Sequence, residues 1–270
     1  MNEIIRKRKS VRKYDLTPLD ATILEAVRAE INNLKPLYPN IKFSIEIVSK
    51  AKGMFGIKAP HYLIFTSDEQ DGYLENIGFV GQQLDLYFSA NGMGACWLGA
   101  SKSDEKLESD LPHVIALAFG KPSEPLYREI SAFKRKPLSA ISEGSDPRLE
   151  AARLAPSAMN MQNWFFIATN GKIHCYLRKT NPLLGLIYGK MNRIDLGIAV
   201  CHIEQGAPER SRDAEGGFCE AKLLKSENFS FAKMDDVPIR KELIYVGTVV
   251  FSSFASGETD LRSPRFFEVH

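Results

Sequence analysis

Cysteine and histidine are sparse in this sequence, and neither is spaced for a metal site or a disulfide framework. The four cysteines, Cys96, Cys175, Cys201 and Cys219, are far apart with no C-x-x-C pair. Free thiols in a reducing cytoplasm are therefore expected. The five histidines are equally scattered, so no metal is expected. No apolar run is long enough to span a membrane, and the N-terminal stretch lacks a signal peptide's apolar core. A cytoplasmic protein without membrane association is the expectation. Neither sign of charge dominates: 35 lysines and arginines against 33 acidic residues leave a net charge of +2. Nucleic-acid binding, which needs a broad basic face, is disfavoured. No Ser-His-Asp or paired-carboxylate constellation is evident either.

What is present is ordinary globular composition, 44% apolar and 25% charged over 270 residues, enough for one large or two small domains. Ile4 to Arg8 reads as a short helix. Thr17 and Pro18 read as the cap and first turn of a helix through Ile23, Leu24 and Val27. Phe43 to Val48 and His61 to Thr66 read as strands. Ile77, Val80, Leu84, Tyr87 and Phe88 form an apolar stripe at helical spacing, ended at Gly92. Met93 to Ala100 reads as a small-residue segment leaving that helix, and Val114 to Gly120 as a central strand. Residues 139–147, SAISEGSDP, suggest a boundary. A helix over Leu149–Leu154, strands over Phe165–Ala168 and Ile173–Leu177, a helix from Asn192 and a strand over Ile244–Phe251 follow. Residues 206–236 read as polar loop. The recurrence of elements hints at internal duplication.

Two stretches carry candidate chemistry. In RKSVRKY, positions 8–14, Arg8, Ser10 and Arg12 alternate, so in extended chain they share a side and suit a phosphate. A solvated charge run is the bland alternative. In APSAMNMQNW, positions 155–164, a turn former, three hydrogen-bonding side chains and a tryptophan follow a helix. Asn160 and Gln162 offer both donors and acceptors, as the polar edge of a heterocycle requires. A helix-ending turn over a core tryptophan would look the same.

Four motifs together resemble the FMN-dependent nitroreductase superfamily. Arg8 to Tyr14 resembles its R-R-S-x-R-x-F opening, and Ala155 to Trp164 its A-P-S-x-x-N-x-Q-P-W motif, with Asn163 in place of the proline. Gln82 to Trp97 resembles its long dimer helix and the segment after it. Ala116 to Pro122 and Lys134 to Leu138 resemble its closing strand and basic end. The order differs from the family's, because the A-P-S motif lies in the second half of the chain and residues 28–60 carry none. Asp195-x-Gly197-x-Ala199 resembles a degraded second long helix. The layout is similar to that of the thermophilic nitroreductase subgroup with two fused halves.

The resemblance implies an α+β fold with mixed, mostly antiparallel sheets flanked by helices, and two similar halves, 1–140 and 148–270, forming a pseudo-dimer. It implies FMN as cofactor and NAD(P)H as co-substrate. The phosphate would be held by Arg8, Ser10 and Arg12 and closed over by Lys134 and Lys136. Pro156, Ser157 and Asn160 would contact the isoalloxazine and ribityl, and Leu98, Gly99 and Ala100 would offer backbone N–H groups to the ring. Hydride would pass from NAD(P)H through the flavin to a small nitroaromatic or quinone in a ping-pong scheme. One FMN per chain is expected, with no homodimer needed to complete the site. Flavin storage without catalysis is a second reading. A nucleic-acid or anionic-surface patch is a third, and it predicts steep salt dependence.

Overall fold

The computed structural model describes residues 3–206 and 229–251. The first part of the chain runs α1 (Glu3–Lys7), α2 (Ala21–Asn32), β1 (Phe43–Val48), β2 (Ala51–Lys52), β3 (His61–Ser67), α3 (Tyr73–Ala90), β4 (Gly94–Leu98), β5 (Lys102–Ser103) and β6 (His113–Gly120). Four of these strands form an antiparallel sheet in the order β1-β3-β6-β4. The inner strands β3 and β6 are nearly continuously apolar because both faces are covered. Leu63, Phe65, Leu117 and Phe119 face one apolar cluster, while Tyr62, Ile64, Ala116 and Ala118 face another.

Two sequence expectations shift here. The segment after Gly92 is the edge strand β4, held by pairing with β6 from Gly94↔Gly120 to Leu98↔Ala116. The helix after Pro18 begins only at Ala21, with Asp20 at the cap position. Thr17 is not its cap; its N–H donates to the Asp15 carboxylate at 3.0 Å.

The second part runs α4 (Leu138–Ile141), β7 (Ser142–Glu143), α5 (Leu149–Leu154), β8 (Trp164–Thr169), β9 (Lys172–Arg178), α6 (Pro182–Gln205), β10 (Phe229–Ala232) and β11 (Leu243–Phe251). Its sheet has the order β10-β11-β9-β8-β7. The stretch expected as a boundary, 139–147, contains structure instead. Ile141 is fully buried, and β7 adds to the second sheet as a parallel partner of β8. Helix α6 starts ten residues before Asn192, because Asn181 caps it by accepting from the Leu184 N–H at 2.9 Å and Pro182 occupies its first turn. Within the expected loop 206–236, residues 229–232 are strand β10, paired antiparallel with β11; 207–228 lie outside the described residues, as does Cys219. Among the described residues no helix is long and apolar enough to cross a membrane.

The two sheets share a plan. Read from β8, the second is β8-β9-β11-β10, with α6 between β9 and β10 just as α3 lies between β3 and β4 in the sheet β1-β3-β6-β4. Helices α3 and α6 pack against each other between the sheets. Their closest approach is reciprocal. A Cβ on Gly78 would overlap the Ile194 carbonyl oxygen, and one on Gly197 would overlap the Glu75 carbonyl oxygen. Each glycine meets the residue three positions before the other, as across a two-fold axis. Because the obstacle is backbone, Gly78→Ala should cost about 1–3 kcal/mol through forced helix separation. Urea unfolding should show it, and an unchanged midpoint would mean that the helices are free to part.

The packing also explains why α3 is buried beyond its apolar stripe. Gln82, Gln83 and Asp85 are all buried, so each needs partners. Gln83 exchanges hydrogen bonds with the Lys35 backbone. Gln82 Nε2 donates to Asp85 Oδ2 at 2.8 Å, and Gln82 Oε1 accepts from Trp97 Nε1 at 3.3 Å.

Candidate functional site

A cavity of about 840 Å³ opens where the N-terminal segment, the end of β4, residues 128–135, residues 156–160 and α6 converge. The N-terminal segment is held extended beside β4: Ser10 bridges Ala95, and the Val11 N–H donates to the Ala95 carbonyl at 3.0 Å. Val11 is buried in the core, so Ser10 and Arg12 are left to line the cavity on the other side.

Arg8 shares their spacing but not their destination. It is 1% exposed, it does not line the cavity, and its Nε lies 3.0 Å from Asp85 Oδ2 on α3. The N–H is not aligned for a hydrogen bond to that oxygen, and Nη1 has no acceptor among the described residues. Its Nη2 donates weakly to Ser10 Oγ at 3.4 Å. Arg8 therefore stands behind the wall that Ser10 presents.

Two arginines that the motif reading passed over take part instead. Arg128 and Arg135 both line the cavity, and their guanidiniums lie 3.7 and 5.6 Å from the Phe133 ring centroid. Burial, then Arg8 and Arg12, push Arg128 down to about 10. Burial, then Arg128, Arg8 and Arg153, push Arg135 down to about 9. The Nε of each is buried without an acceptor among the described residues. Lys134 also faces the cavity. Among the described residues no ion pair neutralises Arg12, Arg128, Lys134 or Arg135, although Glu124 nearby accepts from the Arg12 N–H at 2.7 Å and pairs with Lys9. Arg135 carried a sequence signal, since it sits between Lys134 and Lys136 in the Lys134–Leu138 motif. Arg128 carried none.

Beside the cations lies the loop after α5. Pro156, Ser157 and Asn160 all line the cavity, and the loop is stitched to the end of the first half. Arg135 Nη1 donates to Asn160 Oδ1 at 2.6 Å, and Asn160 Nδ2 donates to the Lys134 carbonyl at 2.6 Å. The Lys136 N–H donates to Gln162 Oε1 at 2.7 Å. Lys136 itself does not line the cavity; its Nζ donates to the Met161 carbonyl at 2.8 Å. Gln162 is thus a buried clamp within the loop. Trp164 is fully buried, as the core reading of that tryptophan expected.

Of the Leu98–Ala100 stretch, Gly99 lines the cavity, while Leu98, at the end of β4, is buried and packs on Gly53. Ala100 takes a left-handed conformation at φ 49°. A Cβ on Gly99 would come 3.3 Å from the Met191 methyl of α6. Tyr188, one turn from Met191 on α6, also lines the cavity, as does the exposed Phe55. Cys96 lies in the wall, its thiol pushed up to about 11 chiefly by burial, which makes it a poor nucleophile.

The cavity thus unites the cationic N-terminal motif with the loop of the second half, across the paired long helices. A family model described as "Putative TM nitroreductase" matches residues 1–207. The chain belongs to that family. Membership supports an oxidoreductase role for this nitroreductase-family chain. Among solved structures it is similar to one described as "a putative nitroreductase" from Thermotoga maritima, with 22% identity, 92% of each chain covered and a TM-score of 0.58; the likeness is one of fold. An FMN-dependent nitroreductase from Clostridium difficile is 16% identical, covering 50% of this chain and 95% of its own at a TM-score of 0.39. A Parabacteroides distasonis structure titled as an NADH dehydrogenase/NAD(P)H nitroreductase is 15% identical, covering 53% and 97% at a TM-score of 0.41. No curated protein matches the chain.

Proposed function

We propose that the cavity binds one FMN per chain and that the protein is an NAD(P)H-dependent oxidoreductase of the nitroreductase type. The observation that carries this is the set of four unneutralised cations facing a polar loop in one cavity. Clustered like charges repel one another, and a bound anion offsets that repulsion; guanidiniums with unused N–H donors suit the forked geometry of a phosphate. Arg12, Arg128, Lys134 and Arg135, with Ser10, would hold the phosphate. Pro156, Ser157 and Asn160 would face the ring and ribityl, with backbone N–H groups of the Leu98–Ala100 segment available to the ring. Arg8 would act from behind, fixing Ser10.

Bound there, FMN would supply two-electron hydride chemistry between NAD(P)H and a small electron-poor acceptor such as a nitroaromatic or quinone. The apolar surface that Tyr188 and Met191 contribute beside Gly99 suits a flat aromatic guest. No side chain is required as a general base. The repeated strand order and the reciprocal Gly78–Gly197 contact support a fused pair of halves whose single site is completed within one chain.

The test is the absorption spectrum of the purified protein before and after NADPH. A yellow protein that bleaches supports the reading, and a yellow one that does not is a flavin store. A colourless protein that ignores added FMN, or two flavins per chain, would sink it. Replacing Arg12 and Arg128 together with alanine should weaken FMN binding at least about a hundredfold, since each charge-assisted contact contributes about 1.5–3 kcal/mol. Fluorescence titration measures this, and among the described residues neither side chain has a carboxylate partner, so the fold should survive.

A further inference from the structure

The loop that faces the cations is strained. Met159, Asn160 and Gln162 all have left-handed backbones, with φ of 50°, 56° and 48°. Non-glycine residues hold such conformations only where their surroundings over-determine them. Most of the restraints come from the first half, through Arg135, Lys134 and Lys136. One comes from beneath. Asp195 on α6 is 4% exposed and lines the cavity, and both its carboxyl oxygens lie 3.0 Å from the Ala158 N–H, which donates to them. Nothing in the motif reading gave this residue a role beyond a helix remnant.

We propose that Asp195 is a positioning residue that latches the Ser157–Asn160 loop to α6 and so fixes the face this loop presents to the cavity. The same device stands at the counterpart position in the other half. Asp195 is two residues before Gly197, and Asn76 is two residues before Gly78. Asn76 Oδ1 accepts from the Tyr38 N–H at 2.9 Å, and Tyr38 lies in the loop entering β1 as Ala158 lies in the loop entering β8. An amide does in the first half what a carboxyl does in the second. What the latch needs is therefore an acceptor oxygen and not a charge. Burial, which pushes Asp195 up to about 8, agrees, because the group is then largely neutral at pH 7.

The functional consequence rests on the flavin reading, whereas the latch itself does not. Asp195→Asn keeps an acceptor and Asp195→Leu removes it at similar volume. Amide hydrogen exchange of the protein without added flavin should show Ala158 protected in the parent and in D195N and unprotected in D195L. FMN titration should give D195N a Kd near the parent's and D195L one at least about tenfold weaker. Should D195L fail to fold, Ala158→Pro removes the donor instead. Ser157 before it is already extended, at φ −147° and ψ 156°, as a residue preceding proline should be. A158P should reproduce the flavin loss. An Ala158 amide still protected in D195L, or FMN affinity unchanged in a folded D195L or A158P, overturns the proposal. A parent that binds no FMN refutes the flavin reading, and the exchange result then decides the latch alone.

Discussion

Arg8→Ala should destabilise the protein by about 3–5 kcal/mol, and should do so with or without flavin. The substitution leaves the Asp85 carboxyl buried with no opposing charge, and breaking a buried pair costs about this much. Asp85 is 1% exposed and its carboxyl is raised by burial against the opposing pull of Arg8 and Gln82. Urea unfolding of the flavin-free protein is the direct measurement. Arg8→Met combined with Asp85→Leu should recover much of the loss, because an apolar pair of similar volume needs no desolvation. The contrast with Arg12→Ala is the discriminating one: that variant should keep its unfolding midpoint and lose affinity for FMN. If Arg8→Ala proves as stable as the parent yet colourless, Arg8 is a phosphate ligand after all and the ion pair is incidental.

Asp195→Asn should make the protein more stable at neutral pH, by a gap that opens with rising pH. The carboxyl sits at about 8 in the folded chain, raised by burial from 3.8. Between these values the folded state retains a proton that the unfolded chain has released, so parent stability falls as pH rises. The contribution is intact below about 4, declines through 8 and is flat above it. Asparagine has no such transition. The two stability curves should meet near pH 4 and separate by a few kcal/mol near pH 8, reckoned at about 1.36 kcal/mol per unit. Denaturant unfolding at several pH values checks this, and parallel curves would show that Asp195 ionises as freely in the fold as out of it. Glu75 and Asp85 also shift upward through burial, but they are common to both proteins and cancel in the difference.

These two residues show where sequence reading stopped. The alternation of Arg8, Ser10 and Arg12 made one surface legible, and Ser10 and Arg12 do line the cavity with Pro156, Ser157 and Asn160. Nothing in the local pattern distinguishes Arg8 from Arg12. The difference lies seventy-seven residues on, in a carboxylate that helix α3 carries into the core behind the first arginine only. Likewise Asp195 read as part of a degraded helix motif, because its partner is a backbone N–H, which no side-chain pattern announces.

The sequence by itself determined the long helix of the first half, the inner strands and the two motifs, since apolar periodicity, caps and glycine stops act within a few residues of one another. It determined the repeat of those elements along the chain. It placed the Arg8–Tyr14 and Ala155–Trp164 motifs in opposite halves, and with them the idea of one composite site. The tertiary structure alone decided which cations face the cavity and which are turned inward. It brought Arg128 and Arg135 beside Arg12, made the polar face of α3 part of the core, and tied the strained loop to α6. Such outcomes depend on what lies across the helix pair. The close crossing at Gly78 and Gly197 sets that arrangement through contacts far apart in the chain, where local propensity has no reach.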